Sequence, residues 1–98
     1  MKNIFKINVP EAGELFETLL QHKNIRIERI VSSDKILPKE YCQEEDEWVL
    51  LVEGSATLEV EGKVHELKKG DFLFIPSGQR HKVLKTQKGT IWLGVFVK

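Results

Sequence analysis

Two side chains in this sequence combine a reactive type with a setting that would hold them. The stretch Asp71-Phe72-Leu73-Phe74-Ile75 reads as a strand and stops at Pro76, which has no N–H to continue a ladder. Ser77-Gly78 then supplies a corner. His81 opens the next strand-like run, HKVLKT (81–86). Period-two alternation puts His81 on the face of Val83 and opposite Lys82. Lysine belongs in water, so His81 and Val83 are expected to point inward at one rim. In EWVLLVE (47–53) the same alternation groups Glu47 with Val49 and Leu51. A carboxylate in line with two core aliphatics is costly to bury unless a cation or hydrogen bonds satisfy it. An imidazole and a carboxylate sharing one interior make half of a divalent-metal site.

These residues need a scaffold, and the chain reads as strands almost throughout. NIRIERIVS (24–32) sets Ile25, Ile27, Arg29 and Val31 on one face and Arg26 and Glu28 on the other. EWVLLVE is apolar on both faces, which implies cover on both sides. Gly54 breaks that run. SATLEV (55–60) alternates, Glu61-Gly62 turns, and KVHEL (63–67) returns. Lys69-Gly70 turns again before DFLFI (71–75), and a turn at Lys88-Gly89 precedes TIWLGVFVK (90–98). PEAGELFETLL (10–20) stands apart. Pro10 suits a first helical turn, and Leu15, Phe16, Leu19 and Leu20 fall on one helical stripe, so the spacing predicts a helix there. Tight turns between short strands predict an antiparallel barrel or sandwich, because parallel strands need long crossovers.

Composition bounds the rest. The chain has 98 residues, enough for a single domain spanning 1–98, with 41% hydrophobic and 31% charged residues and a net charge of zero. Residues 40–62 hold eight acidic side chains and no Lys or Arg. Lys82, Lys85 and Lys88 read as a solvated edge, and without an overall basic excess nucleic acid is not an expected partner. No stretch is apolar enough to span a bilayer or to act as a signal peptide, so neither a membrane partner nor export is expected. The single cysteine, Cys42, permits no internal disulfide and fits a cytoplasmic protein.

With these residues in view, the chain resembles the cupin superfamily, and in particular its small single-domain members. Gly70-x5-Pro76-x-Gly78-x2-His81 is similar to the second motif of that family, and Glu47-x6-Gly54 to the end of the first. The resemblance covers about residues 36–97. It implies an all-β, antiparallel jelly-roll barrel, here with one short N-terminal helix. It also implies a homodimer in many members and a divalent metal such as iron, manganese, nickel or zinc. EWVLLVE and TIWLGVFVK, apolar on both faces, independently favour a dimer.

The departure from the family pattern matters as much. Metal-binding cupins carry His-x-His shortly before the glutamate. Here the region reads Glu40-Tyr41-Cys42-Gln43-Glu44-Glu45-Asp46-Glu47, so Tyr41 and Gln43 replace the histidines in one register and Glu40 and Cys42 in the other. Tyr41, Gln43, Glu47 and His81 would make an oxygen-rich metal site. Glu40, Cys42, Glu47 and His81 would suit zinc. In a third reading the metal site has degenerated and these side chains line a polar ligand pocket.

The expected pocket is therefore Tyr41, Gln43, Glu47 and His81 at the mouth, with Val49, Leu51 and Val83 deeper. Two functions follow. One is a barrel that binds a small polar molecule. The other is a metal-dependent enzyme of dioxygenase, isomerase or lyase type acting on a small polar metabolite. His22 reads as a solvated helix end, His65 as a surface or rim residue, and Cys42 as unactivated. Trp48, Trp92 and Phe96 read as packing residues under the helix or at a dimer contact.

Overall fold

A computed structural model describes residues 1–98. Eight strands follow one another: β1 (Glu14–His22), β2 (Ile25–Ser32), β3 (Asp46–Glu53), β4 (Ser55–Val60), β5 (Lys63–Lys68), β6 (Phe72–Ile75), β7 (His81–Thr86) and β8 (Thr90–Val97). Every pairing is antiparallel. A five-stranded sheet runs β1-β2-β8-β3-β6 and a three-stranded sheet runs β5-β4-β7. The two face each other across one core of Val49, Leu51, Ala56, Leu58, Val60, Ile75 and Trp92. Leu51, fully buried at its centre, contributes about 1.5–3 kcal/mol relative to an exposed side chain.

The turns follow from residue chemistry. Glu61 (φ +48°) and Gly62 (φ +79°) both take the left-handed conformation, as a two-residue hairpin between Val60 and Lys63 requires. At Gly54 (φ +96°) the chain passes so close to Thr90 that a β-carbon would lie 2.5 Å from its Oγ1. Only glycine fits there.

The expected helix over 10–20 is absent. Residues Glu14–His22 form β1 instead, paired with β2 from Glu14↔Ser32 to His22↔Ile25. Two effects explain the difference. A helix of eleven residues is marginal on its own, whereas the strand gains a full ladder and a neighbouring sheet. A β-bulge between Thr18 and Leu20 also breaks the two-residue alternation, so the apolar spacing imitates a helical stripe. His22 accordingly ends a strand rather than a helix. Residues before β1 are tied to β2, whose Arg29 Nη1 donates to the carbonyls of Asn3, Ile4 and Lys6 at 3.0–3.2 Å.

The irregular segment between β2 and β3 is fastened at two points. Tyr41 and His81 exchange backbone hydrogen bonds of 2.8 and 2.9 Å, and Gly78 N–H donates to the carbonyl of Gln43 at 2.9 Å. This clasp brings residues 41–43 to the rim where β7 begins. The molecule contains no helix that is long and apolar enough to cross a membrane.

Candidate functional site

Between the sheets lies a cavity of about 230 Å³. Register decides what faces it. On adjacent strands β3, β8 and β2, Glu47, Phe96 and Arg26 stand side by side, and the next inward row is Val49, Gly94 and Glu28. β1 adds Glu14 and Phe16, and the three-stranded sheet contributes Leu58, His81 and Val83. Gly94 keeps this wall open, because a β-carbon there would lie 2.9 Å from the Phe96 ring.

The polar end of the cavity is a small hydrogen-bonded group. Glu47 is 6% exposed and His81 8% exposed. His81 Nε2 lies 3.4 Å from Glu47 Oε1, and Gln43 Nε2 donates to the same oxygen at 2.8 Å. His81 Nδ1 lies 3.3 Å from the carbonyl of Gln79, and the Tyr41 ring stacks on the imidazole with centroids 5.8 Å apart. Burial pulls the His81 pKa down, but the Glu47 hydrogen bond and charge and the Gln79 carbonyl outweigh it. The net direction is above 6.5.

Farther along the five-stranded sheet, Ser32 Oγ on β2 donates to Glu14 Oε2 on β1 at 2.5 Å. Burial pushes the Glu14 carboxyl upward, with the Ser32 hydrogen bond partly opposing it. Burial and the nearby Glu14 charge likewise raise the Tyr41 phenol, which stays protonated. Trp92 Nε1 donates to Ser32 Oγ at 3.0 Å.

The fold brings Tyr41, Gln43, Glu47, His81, Val49 and Val83 to one cavity, from both sheets and the rim loop. Leu51 is displaced from the expected lining: it sits wholly within the core, and Trp92, its neighbour on β8, takes the cavity-facing place. Trp92 and Phe96, expected as packing residues under the helix or at a dimer contact, line the cavity, and Trp92 also packs in the core. Glu40 and Cys42 are exposed, so a Glu40–Cys42–Glu47–His81 centre is not assembled. Glu14, Arg26 and Glu28 also line the site and were not anticipated. The alternation of Arg26, Glu28 and Ile30 was visible in the sequence, but nothing in it tells that this face curls over a cavity.

The donor set does not fit the divalent ion that the family resemblance implies. No three His, Cys, Asp or Glu side chains gather in a way that would hold a metal. Tyr41 and Gln43 offer only a phenol and a neutral amide oxygen, weaker donors for such an ion than the histidines of the family pattern. One imidazole and one carboxylate remain, and they face each other.

The sequence pattern of the cupin domain matches residues 32–96, two thirds of the chain, from the end of β2 almost to the end of β8. The chain is a cupin. Among solved structures, this cupin is similar to a candidate mannose-6-phosphate isomerase from Ralstonia eutropha JMP134. The two are 34% identical over 100% of this chain and 97% of that one, with a TM-score of 0.87. A conserved protein of unknown function from Streptococcus pyogenes shares the fold at 17% identity, covering 100% and 86% of the two chains with a TM-score of 0.84. A cupin superfamily protein from Desulfitobacterium hafniense DCB-2 does so at 21% identity, 96% and 85% coverage and a TM-score of 0.80. No curated protein matches this cupin by sequence.

Proposed function

We propose that this cupin binds a small molecule in the mouth of its barrel, at a site descended from a metal centre that has lost its donor set. The observation that carries this reading is a largely apolar cavity of about 230 Å³ ending in the Gln43–Glu47–His81 group. Apolar walls with a few convergent polar groups are what ligand sites have in common. The test is a screen of small polar metabolites by ¹H–¹⁵N spectra, read at the Trp92 indole and the His81 amide. A hit should move both, and Val83→Phe, which fills the cavity, should abolish it while the remaining spectrum stays dispersed. A broad screen that moves neither signal overturns the reading.

A second reading is catalysis without a metal. The Glu47–His81 pair favours it, since an imidazole steadied by a carboxylate can accept and return a proton. Similarity to the Ralstonia protein makes sugar isomerisation the reaction to assay first. We also propose a homodimer formed through the outer face of the five-stranded sheet. There Phe72 and Phe74 are 63% and 57% exposed, beside Leu50 and Trp48.

A further inference from the structure

The charges around the cavity are unevenly satisfied, and the imbalance says what kind of ligand it would take. Three carboxylates line it: Glu14, Glu28 and Glu47. The one guanidinium, Arg26, is already engaged. Its Nη1 bonds Glu45 Oε2 at 2.7 Å, its Nε faces Glu28 Oε2 at 3.6 Å, and its Cζ lies 4.4 Å from the centre of the Phe96 ring. With the carboxylates ionised, the lining is net negative whether or not His81 is protonated.

Two carboxylate oxygens have no protein donor. Both contacts to Glu47, from Gln43 and from His81, fall on Oε1, and Oε2 accepts no hydrogen bond. The Ser32 hydroxyl reaches Glu14 through Oε2 alone, leaving Oε1 free. Most of the N–H groups that an anion would need are already committed; Arg26 Nε makes no hydrogen bond, but Glu28 Oε2 faces it at 3.6 Å. Gln43 donates to Glu47, Trp92 to Ser32 and Arg26 to Glu45. The same cavity is lined by the aromatic rings of Phe16, Trp92 and Phe96, whose faces attract cations.

We propose that the cavity selects a compact organic ammonium ion, its charged head between Glu14 and Glu47 and its apolar body against the aromatic wall. The inference rests on the reading of the cavity as a ligand site. It runs against a phosphorylated sugar as the natural ligand, because Arg26 is already ion-paired with Glu45 and Glu28, and three carboxylates share the lining with it. Burial raises the Glu14 carboxyl, and an ammonium ion relieves that desolvation where a neutral or anionic head does not. A dry cavity of about 150 Å³ admits benzene, so about 230 Å³ admits a six-membered ring with a one-carbon head group.

Three probes of one shape test it: cyclohexylmethylammonium, cyclohexylmethanol and cyclohexanecarboxylate, titrated at neutral pH and read by calorimetry and by the Trp92 indole resonance. The ammonium should bind about ten-fold tighter than the alcohol, and the carboxylate should not saturate. Glu14→Gln should reduce the ammonium to the affinity of the alcohol while leaving the alcohol unchanged. Glu47→Gln should do the same, so the test survives if one variant folds poorly. Equal binding of ammonium and alcohol, tighter binding of the carboxylate, or a preference that persists in both variants overturns the inference and leaves the cavity a ligand site. Binding of none of the three overturns the inference together with the ligand-site reading.

Discussion

His81 Nε2 stands 3.4 Å from Glu47 Oε1, with both side chains only 8% exposed. This pair faces two opposing forces, since burial disfavours the charged imidazole while the carboxylate favours it. Burial is the largest single influence on His81, and Glu47 acts twice, by hydrogen bond and by charge. The His81 titration, followed by its ring proton resonances, should therefore have its midpoint above 6.5. In Glu47→Gln burial is opposed only by the Gln79 carbonyl, and the midpoint should fall below 6.5. A midpoint unmoved by that substitution would mean that the two groups do not interact.

Stability should carry the same signature. A histidine whose folded pKa is raised above 6.5 contributes stability that is complete below 6.5 and is lost as pH rises through the folded value. The raised Glu14 carboxyl acts in the same direction, because the fold holds its proton more tightly than the unfolded chain does. Thermal unfolding is expected at a lower temperature at about pH 8 than at about pH 5.5. In Glu47→Gln the His81 part of this slope should reverse. A melting temperature that rises across this range in the unsubstituted protein contradicts the argument.

Gly54 and Gly62 offer a matched pair. Both have positive φ, but a β-carbon at Gly54 meets Thr90 Oγ1 at 2.5 Å and its Cα at 2.9 Å, whereas at Gly62 it meets nothing within 4 Å. Gly62→Ala should cost about 1 kcal/mol from backbone strain alone. Gly54→Ala should cost about 3 kcal/mol or more, because the fully buried Thr90 must move as well. Urea midpoints at constant slope provide the comparison.

The proposed dimer makes its own demand. Replacing Phe72 and Phe74 by lysine should convert the protein to a monomer in sedimentation at about 10 μM without loss of the strand signal, since neither side chain is in the core. An unsubstituted protein that already sediments as a monomer ends the proposal.

Metal binding can be measured directly. Calorimetry with iron(II), manganese(II), nickel(II) or zinc(II) should give no stoichiometric tight site, because only one imidazole and one carboxylate converge. A one-to-one complex that His81→Ala abolishes would restore the metal centre.

The strands were legible from residue 25 onward because alternation and turn residues agreed there. SATLEV and HKVLKT, for instance, match β4 and β7 from end to end. β1 was not, because its bulge disguises the alternation. With β1 misread, Glu14 and Phe16 could not be assigned to a wall. The inward direction of Glu47 and His81 followed from Val49 and Val83, their aliphatic companions. Tyr41 and Gln43 carry no periodic signal at all. Family register suggested them, and a pair of backbone bonds from a distant strand puts them at the rim. Leu51 shows the limit of alternation, which gives a side chain's face but not its depth.

The clasp between Tyr41 and His81 is made entirely by main-chain atoms. Its geometry is therefore indifferent to which side chains the two positions display. The rim can exchange its chemistry as a tool holder exchanges bits, while the fastening stays as it is. Tyr41→His together with Gln43→His would keep the loop where it is and present two further imidazoles beside His81 and Glu47. Chains of this kind can thus drift between metal-loaded and metal-free chemistry by substitutions at a few rim positions, without passing through an unfolded intermediate design.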